Sequence, residues 1–358
     1  MTTVASKTTK STTAAKTILI TGATAGIGRS TAIYLAQQGH HVIASGRKVA
    51  ELAKLREEVA GLSLTRKGVS RRVADDRASG RETVSNLRPR IDTIELDVTS
   101  AQSIAAAVET LAGVTGGAAL DVLVNNAGFG ILGPTIEIDD SEMRRQYETN
   151  VFGLMNVVRA FVPQMRDAGS GRVVNVSSLG GRITLPYFGV YNSTKYAIES
   201  LSDALRWELQ PFGIQVSLIE PGVIRTNFEA TAVGGFEKFQ QGAYAKAISN
   251  YEKLSKRADK FAGEPIVIAK AIERAVDSRR ASARYVAPRM NYAAIMFKSI
   301  VPTRVWDWAM RKIGMLNEQT VSTATIRSTS VAPVSTKVSS LDAALATASN
   351  GRGPVAHA

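Results

Sequence analysis

A β-branched run, TILIT (17–21), breaks into TGATAGIG (21–28) and passes directly into IGRSTAIYLAQQG (27–39), where apolar residues recur at helical spacing. No other stretch constrains the fold as tightly. Gly22 permits a tight turn, and Gly26 and Gly28 let backbone and helix approach closely. The amino end of the helix then offers unpaired N–H groups to a pyrophosphate, and Gly39 is a natural C-cap. Glycine-rich turns also serve simply as turns. Its position between a first strand and an amphipathic helix favours a dinucleotide site here.

The same strand-then-helix rhythm continues. HVIAS (41–45) reads as a strand, VAELAKLREEVA (49–60) as a helix and IDTIELD (91–97) as a strand. A helix is expected near 100–112, then a strand in LDVLVNN (120–126) and a long helix over 140–166. RVVNVSS (172–178), a helix containing GVYNSTKYAIESL (189–201) and IQVSLIE (214–220) complete the series. Such alternation predicts right-handed βαβ units on a mostly parallel sheet with helices on both faces: a doubly wound α/β fold, in a single domain over 16–290. Its ligand crevice should open at the carboxyl ends of the strands.

Four segments fall outside the rhythm. Residues 62–90 are Arg-rich with weak periodicity and are expected to form a surface loop, partly disordered. Residues 222–263 follow the sixth strand, where a substrate lid would sit. Residues 1–15 and 317–358 are rich in Ser, Thr and Ala with little to bury, and disordered tails are expected. The net charge of +13 collects outside the fold. Residues 61–90 hold eight Arg or Lys against three Asp or Glu, residues 279–312 hold eight against one, and the first 16 residues add three Lys.

Composition removes several chemistries. Without cysteine there is no disulfide or thiolate, which fits a reducing, cytoplasmic setting. The three histidines, His40, His41 and His357, poorly support a Ser-His-Asp triad or a zinc site, and no metal is expected. The first 16 residues lack the apolar block of a secretory signal, and no stretch is apolar enough to span a bilayer.

The spacing G-x-x-x-G-x-G, with TGATAGIG after the first strand, NNAG after the fourth and Tyr191-x-x-x-Lys195 after the fifth, resembles the short-chain dehydrogenase/reductase family. The resemblance covers about residues 15–290. It implies a Rossmann-like fold and places Gly22, Thr24, Gly26, Ile27 and Gly28 on the cofactor. It also assigns Asp97 and Val98 to adenine, Asn126, Ala127 and Gly128 to the ribose side, and Pro221, Gly222, Val223 and Thr226 to the nicotinamide carboxamide. After HVIAS come Gly46, Arg47 and Lys48 with no carboxylate. A 2′-hydroxyl would be held by a carboxylate and a 2′-phosphate by a cation, so NADP(H) is expected, with Arg47 as its fork and Lys48 or Arg29 assisting.

In the family a Ser lies thirteen residues before the Tyr, as Ser178 does here, with Ser177 the competing candidate. A ketone accepting hydride builds negative charge on oxygen that must be stabilised and protonated. Lys195, one helical turn away, is expected to lower the Tyr191 phenol and to bind the nicotinamide ribose. Asn150, in YETNVFG, matches the fourth catalytic residue of the family, and Gly153 beside it suits an irregular helix. The expected function is therefore an NADP(H)-dependent oxidoreductase interconverting carbonyl and alcohol, as a homodimer or homotetramer.

Apolar residues flank the expected active site and fill the segment after the sixth strand. Phe228, Phe236, Phe239, Tyr244, Tyr251 and Phe261, with Leu179, Ile183, Leu185, Tyr187 and Phe188, imply an apolar pocket for a steroid-, retinoid- or lipid-like molecule, or else packing of the lid itself. Residues 290–316 alternate apolar and basic patches, which fits peripheral membrane contact, a cover over the pocket or a subunit interface. A non-catalytic NADP(H)-sensing protein is the alternative, though a sensor has no need of Asn150, Ser178, Tyr191 and Lys195 together. Nucleic-acid binding through 62–90 lacks interleaved aromatics and is disfavoured.

Overall fold

The computed structural model describes residues 14–78, 87–226, 234–258 and 262–321, all within one compact unit spanning Met1–Ser322. Seven strands form one parallel sheet: β1 (Thr17–Ile20), β2 (His41–Gly46), β3 (Arg90–Glu95), β4 (Val122–Asn125), β5 (Gly171–Val176), β6 (Ile214–Pro221) and β7 (Arg284–Ala287). Their order is β3-β2-β1-β4-β5-β6-β7. The chain winds outward from β1 to β3 and then returns to start β4 on the other side of β1. That reversal puts the crevice above β1 and β4.

Two apolar cores explain why the strands read as nearly continuous hydrophobic runs. Ile18, Ile20, Val42, Ala44, Val122 and Val124 face one side, against α1 (Gly26–Gln37), α2 (Val49–Ala60) and α9 (Pro265–Asp277). Leu19, Ile43, Leu123 and Val173 face the other, against α4 (Ala101–Thr115), α6 (Leu154–Asp167) and α7 (Gly189–Leu209). Alternation along each strand sends consecutive residues to opposite cores. A third cluster joins Tyr187, Val190 and Tyr191 to Phe236 and Phe239, and to Ile248 on α8 (Ala245–Ala258).

The segment 62–90 departs from the sequence expectation. Residues Arg66–Ala78 form helix α3, not a loop, while 79–86 lie outside the described residues. This helix has no apolar stripe because charge anchors it. Arg71 is buried, donating to the Gln38 carbonyl (2.6 Å) and to Asp277 (2.7 Å), with His40 Nε2 at 2.7 Å. Lys67 reaches Glu273 and Asp277 at 2.6 and 2.7 Å, and Gly68 lies against the Gln37 carbonyl. Burial opposes ionisation of Asp277, but His40, Lys67 and Arg71 hold its carboxyl well below the usual range. Strand β7 was also not anticipated; it extends the sheet beyond β6.

The expected long helix is interrupted where Asn150 was singled out. Helix α5 (Asp140–Tyr147) passes through a π-helical turn, Glu148–Gly153, into α6. Helices α10 (Asn291–Ile300) and α11 (Thr303–Ile313) complete the described chain. No described helix is long and apolar enough to cross a membrane. The tails at 1–13 and 322–358 lie outside the described residues, as do Phe228 and Phe261.

Candidate active site

The glycine-rich turn is held from beneath by NNAG. Gly22 and Gly26 have φ of +66° and +53°, which side chains disfavour. A Cβ on Gly22 would lie 2.8 Å from Ala127 Cα, and one on Gly28 would overlap the Gly22 carbonyl and Asn126 Nδ2. Asn126 Nδ2 donates to the carbonyls of Thr21 (2.9 Å) and Gly22 (3.2 Å). The amides of Asn126 and Ala127 both donate to Thr21 Oγ1 at 3.0 Å. Asn126 thus acts as a brace for the turn. No side chain caps α1, which leaves its first amides free for an anion.

Other predicted cofactor residues surround this turn. Thr24 packs against Gly46, where a Cβ would meet Thr24 Cγ2 at 2.8 Å, and Ile27 packs on the first core. Thr226 approaches Gly26, and the Gly222 amide donates to the Ala287 carbonyl at 2.9 Å, just past Pro221. Val223 is exposed, with its carbonyl accepting from Gly263 N at 3.0 Å. Arg47 is largely exposed and stands 3.9 Å from Asp97. Burial opposes ionisation of Asp97, yet hydrogen bonds from Thr99 and the Arg47 cation keep its carboxyl below the usual range. Val98 is buried against Gly153 of the π turn. Arg29, expected to assist Arg47, is paired with Glu58.

Across the crevice, β5 ends at Val176 and Ser178 begins a short 3₁₀ turn, its hydroxyl accepting from Gly180 N at 3.0 Å. The Tyr191 hydroxyl is hydrogen-bonded to Ser178, while Ser177 is turned toward Glu199. Tyr191 and Lys195 share one face of α7, with Nζ 5.7 Å from the ring centroid and donating to the Val176 carbonyl at 2.9 Å. Both side chains are buried.

Burial, not the ammonium, dominates the phenol, contrary to expectation. It pushes Tyr191 up to about 12, with Ser178 opposing. The same desolvation lowers Lys195 to about 8, against the pull of Glu199.

Asn150 is clamped. Its Oδ1 accepts from Phe129 N (3.1 Å), and its Nδ2 donates to Phe129 O (2.9 Å) and Thr194 Oγ1 (3.1 Å). A Cβ on Gly128 would lie 3.1 Å from Asn150 Oδ1 and 3.9 Å from Lys195 Nζ, so Gly128 opens the space between them.

One group behind the site was not anticipated. Glu199, one turn beyond Lys195, and Glu220, at the end of β6, converge on Arg284 Nε at 3.0 and 3.1 Å. Burial raises both carboxyls. A glutamate four residues after Lys195 and another inside an apolar strand were the available signals. Among the described residues, no cluster of His, Cys, Asp and Glu could hold a metal.

The sequence profile of the short chain dehydrogenase family matches residues 16–78 and 62–234. The chain belongs to that family. This short chain dehydrogenase is an oxidoreductase of the type that interconverts C=O and CH–OH groups. It is 31% identical over 296 residues to a 3-ketodihydrosphingosine reductase of Bacteroides thetaiotaomicron, covering 82% of this chain and 96% of that protein. It is 34% identical over 223 residues to an NADPH-dependent 3-dehydrocapnine reductase of Ornithobacterium rhinotracheale, covering 60% and 77%. Among solved structures, a short-chain dehydrogenase from Streptomyces avermitilis superposes with a TM-score of 0.59 at 28% identity, covering 85% and 98%. An actinorhodin polyketide ketoreductase with NADPH also gives 0.59, at 25% identity, covering 76% and 95%.

Proposed function

We propose that the protein is an NADPH-dependent reductase of a ketone carried on a long-chain, lipid-like molecule, working as a homo-oligomer. The observation that carries the catalytic reading is the buried Tyr191 hydroxyl, bonded to Ser178 with Lys195 on the same helix face. Burial raises the phenol above its usual value, so it is protonated at neutral pH and has a proton to give to the developing alkoxide.

The residues fit NADP(H). The turn at Gly22–Gly28 is a cradle that a single Cβ would fill, and the uncapped amides of α1 suit the pyrophosphate. Arg47 would hold the 2′-phosphate, Asp97 and Val98 the adenine, Lys195 the nicotinamide ribose, and Pro221–Val223 with Thr226 the carboxamide. When bound, the cofactor supplies the hydride. Ser178 holds the substrate oxygen, and Tyr191 protonates it as negative charge develops. Lys195, with its Nζ 5.7 Å from the Tyr191 ring centroid, keeps a cation beside the phenolate that this leaves. Asn150 fixes the Phe129 segment against α7, keeping the space beside Lys195 open.

The relatives named as a 3-ketodihydrosphingosine reductase and a 3-dehydrocapnine reductase support the substrate class, and Tyr187, Phe236 and Phe239 give Tyr191 a buried apolar backing. Exposed Phe152 and Trp207, on the π turn and α7, support subunit pairing through those helices.

The test is NADPH consumption with a panel of long-chain 3-keto amines, steroid ketones and short ketones. The long-chain ketones are expected to give the highest kcat/KM. Tyr191→Phe should lower kcat by about 10²–10⁴-fold while NADPH affinity stays within about threefold. Undiminished turnover in that variant would refute the catalytic assignment. Equal rates on short ketones would refute the substrate class.

A further inference from the structure

Helices α10 and α11 carry more apolar surface than their packing uses. Of the 17 large hydrophobic residues exposed among the described residues, eight fall between 290 and 313. Met296, Phe297 and Ile300 are more than half exposed on α10, as are Val305 and Trp308 on α11. A concentration like this marks an interaction surface, since isolated exposed hydrophobics are ordinary. The inner side of the pair is accounted for. Ile295 is buried and Trp306 half-buried against Leu179, Ile183 and Leu185, in the loop between Ser178 and Tyr191. A groove of about 790 Å³ runs between Pro186–Tyr187 and Trp306–Met310.

Charge says what covers the outer side. Between 289 and 312 stand Arg289, Lys298, Arg304, Arg311 and Lys312 against Asp307 alone. All but Lys298 of these cations are exposed, and Lys298 lies over the Trp306 ring at 5.1 Å. A second copy docking here by twofold symmetry would bring like charges together without neutralising them. Residues 322–358 hold one acidic residue, Asp342, and could not balance them either.

We propose that α10 and α11 form a docking face for an anionic lipid bilayer. The exposed apolar side chains enter the boundary between headgroups and acyl chains, and the surrounding cations meet lipid phosphates. This holds whichever carbonyl is reduced, because no catalytic residue enters the argument. Its consequence is positional: the groove beside the catalytic loop would open at the membrane.

The experiment is co-sedimentation of the purified full-length protein with vesicles of phosphatidylcholine alone, or with one third phosphatidylglycerol. Binding to the anionic vesicles should be about tenfold stronger and should weaken as salt rises. Phe297→Glu with Trp308→Glu should abolish binding, and Arg304→Ser with Arg311→Ser and Lys312→Ser should remove the preference for anionic lipid. Both variants should still reduce a small soluble carbonyl at the wild-type rate. Should the first variant fail to fold, brominated acyl chains in the anionic vesicles should quench wild-type tryptophan emission. The proposal is overturned if the wild type sediments with neither vesicle, if quenching is absent, or if the variants bind as the wild type does. It is equally overturned if the Glu variant dissociates a dimer in solution while vesicle binding is unchanged.

Discussion

At Gly22 and Gly28 the chain is held by backbone; across the crevice at Tyr187 it is held by aromatic rings. The cofactor wall has no slack, because Gly28 lies against the Gly22 carbonyl and both sit on Asn126 and Ala127. Across the crevice, Tyr187 stacks edge-on against Phe236 (5.9 Å) and Tyr251 (5.2 Å), and its hydroxyl donates to the Gly314 carbonyl at 2.6 Å. Tyr187 also holds φ at +67°, a conformation that packing must maintain in a non-glycine residue. A turn fixed by backbone contact, with Asn126 and Thr21 bracing it, tolerates no added atom. A wall fixed by ring packing can be reshaped by changing rings, which suits a family whose cofactor is shared and whose substrates differ.

A matched pair of substitutions separates the two walls. Phe236→Ala empties a fully buried site and should destabilise the protein by about 3–5 kcal/mol. NADPH affinity of the folded fraction should stay near wild type while KM for the ketone rises. Gly28→Ala adds one carbon against backbone that cannot move aside. It should destabilise by about 1–3 kcal/mol and weaken NADPH at least about tenfold, with ketone selectivity unchanged. Thermal denaturation and NADPH titration of both variants decide the matter. If Phe236→Ala weakens NADPH as much as Gly28→Ala does, the two walls are not separate.

Arg47→Ala sharpens the cofactor side. The guanidinium is exposed and its ion-pair partner among the described residues, Asp97, stands 3.9 Å away, so its removal should barely change stability. Loss of a charge-assisted pair with a 2′-phosphate should weaken NADPH about 10- to 100-fold and leave NADH unaltered. Equal losses for both cofactors, measured by fluorescence titration, would show that Arg47 does not read the phosphate.

The two walls also differ in how plainly they can be read from sequence. Gly22, Gly26 and Gly28 announce a steric requirement that few other residues meet, and strands β1–β6 announce themselves by β-branched runs. Helix α3 did not, since Arg71, Lys67 and Asp277 anchor it by charge and periodicity registers only apolar faces. Glu199 and Glu220 left only faint signals for a related reason: a glutamate reads as solvated until Arg284 is brought over it from β7. The face shared by Tyr191 and Lys195 followed from four-residue spacing alone. The ionisation of that pair did not, because it depends on how deeply strands and loops bury them.

The smallest effect expected concerns that burial. Unfolded, the Lys195 amine titrates near 10.5; folded, it titrates near 8. Below about 8 the folded protein must bury the charge, and the destabilisation is complete. Between about 8 and 10.5 the folded state releases a proton that the unfolded chain keeps, so the wild type gains stability as pH rises. Lys195→Met removes the titration and, with it, the hydrogen bond to the Val176 carbonyl, which is a pH-independent loss of about 1 kcal/mol. The variant is therefore expected to be inactive yet to melt about 2–4 °C higher than cofactor-free wild type near pH 7. That gap should shrink steadily between about pH 8 and 10.5. A gap that stayed constant across this window in thermal scans would mean that burial does not lower the Lys195 amine.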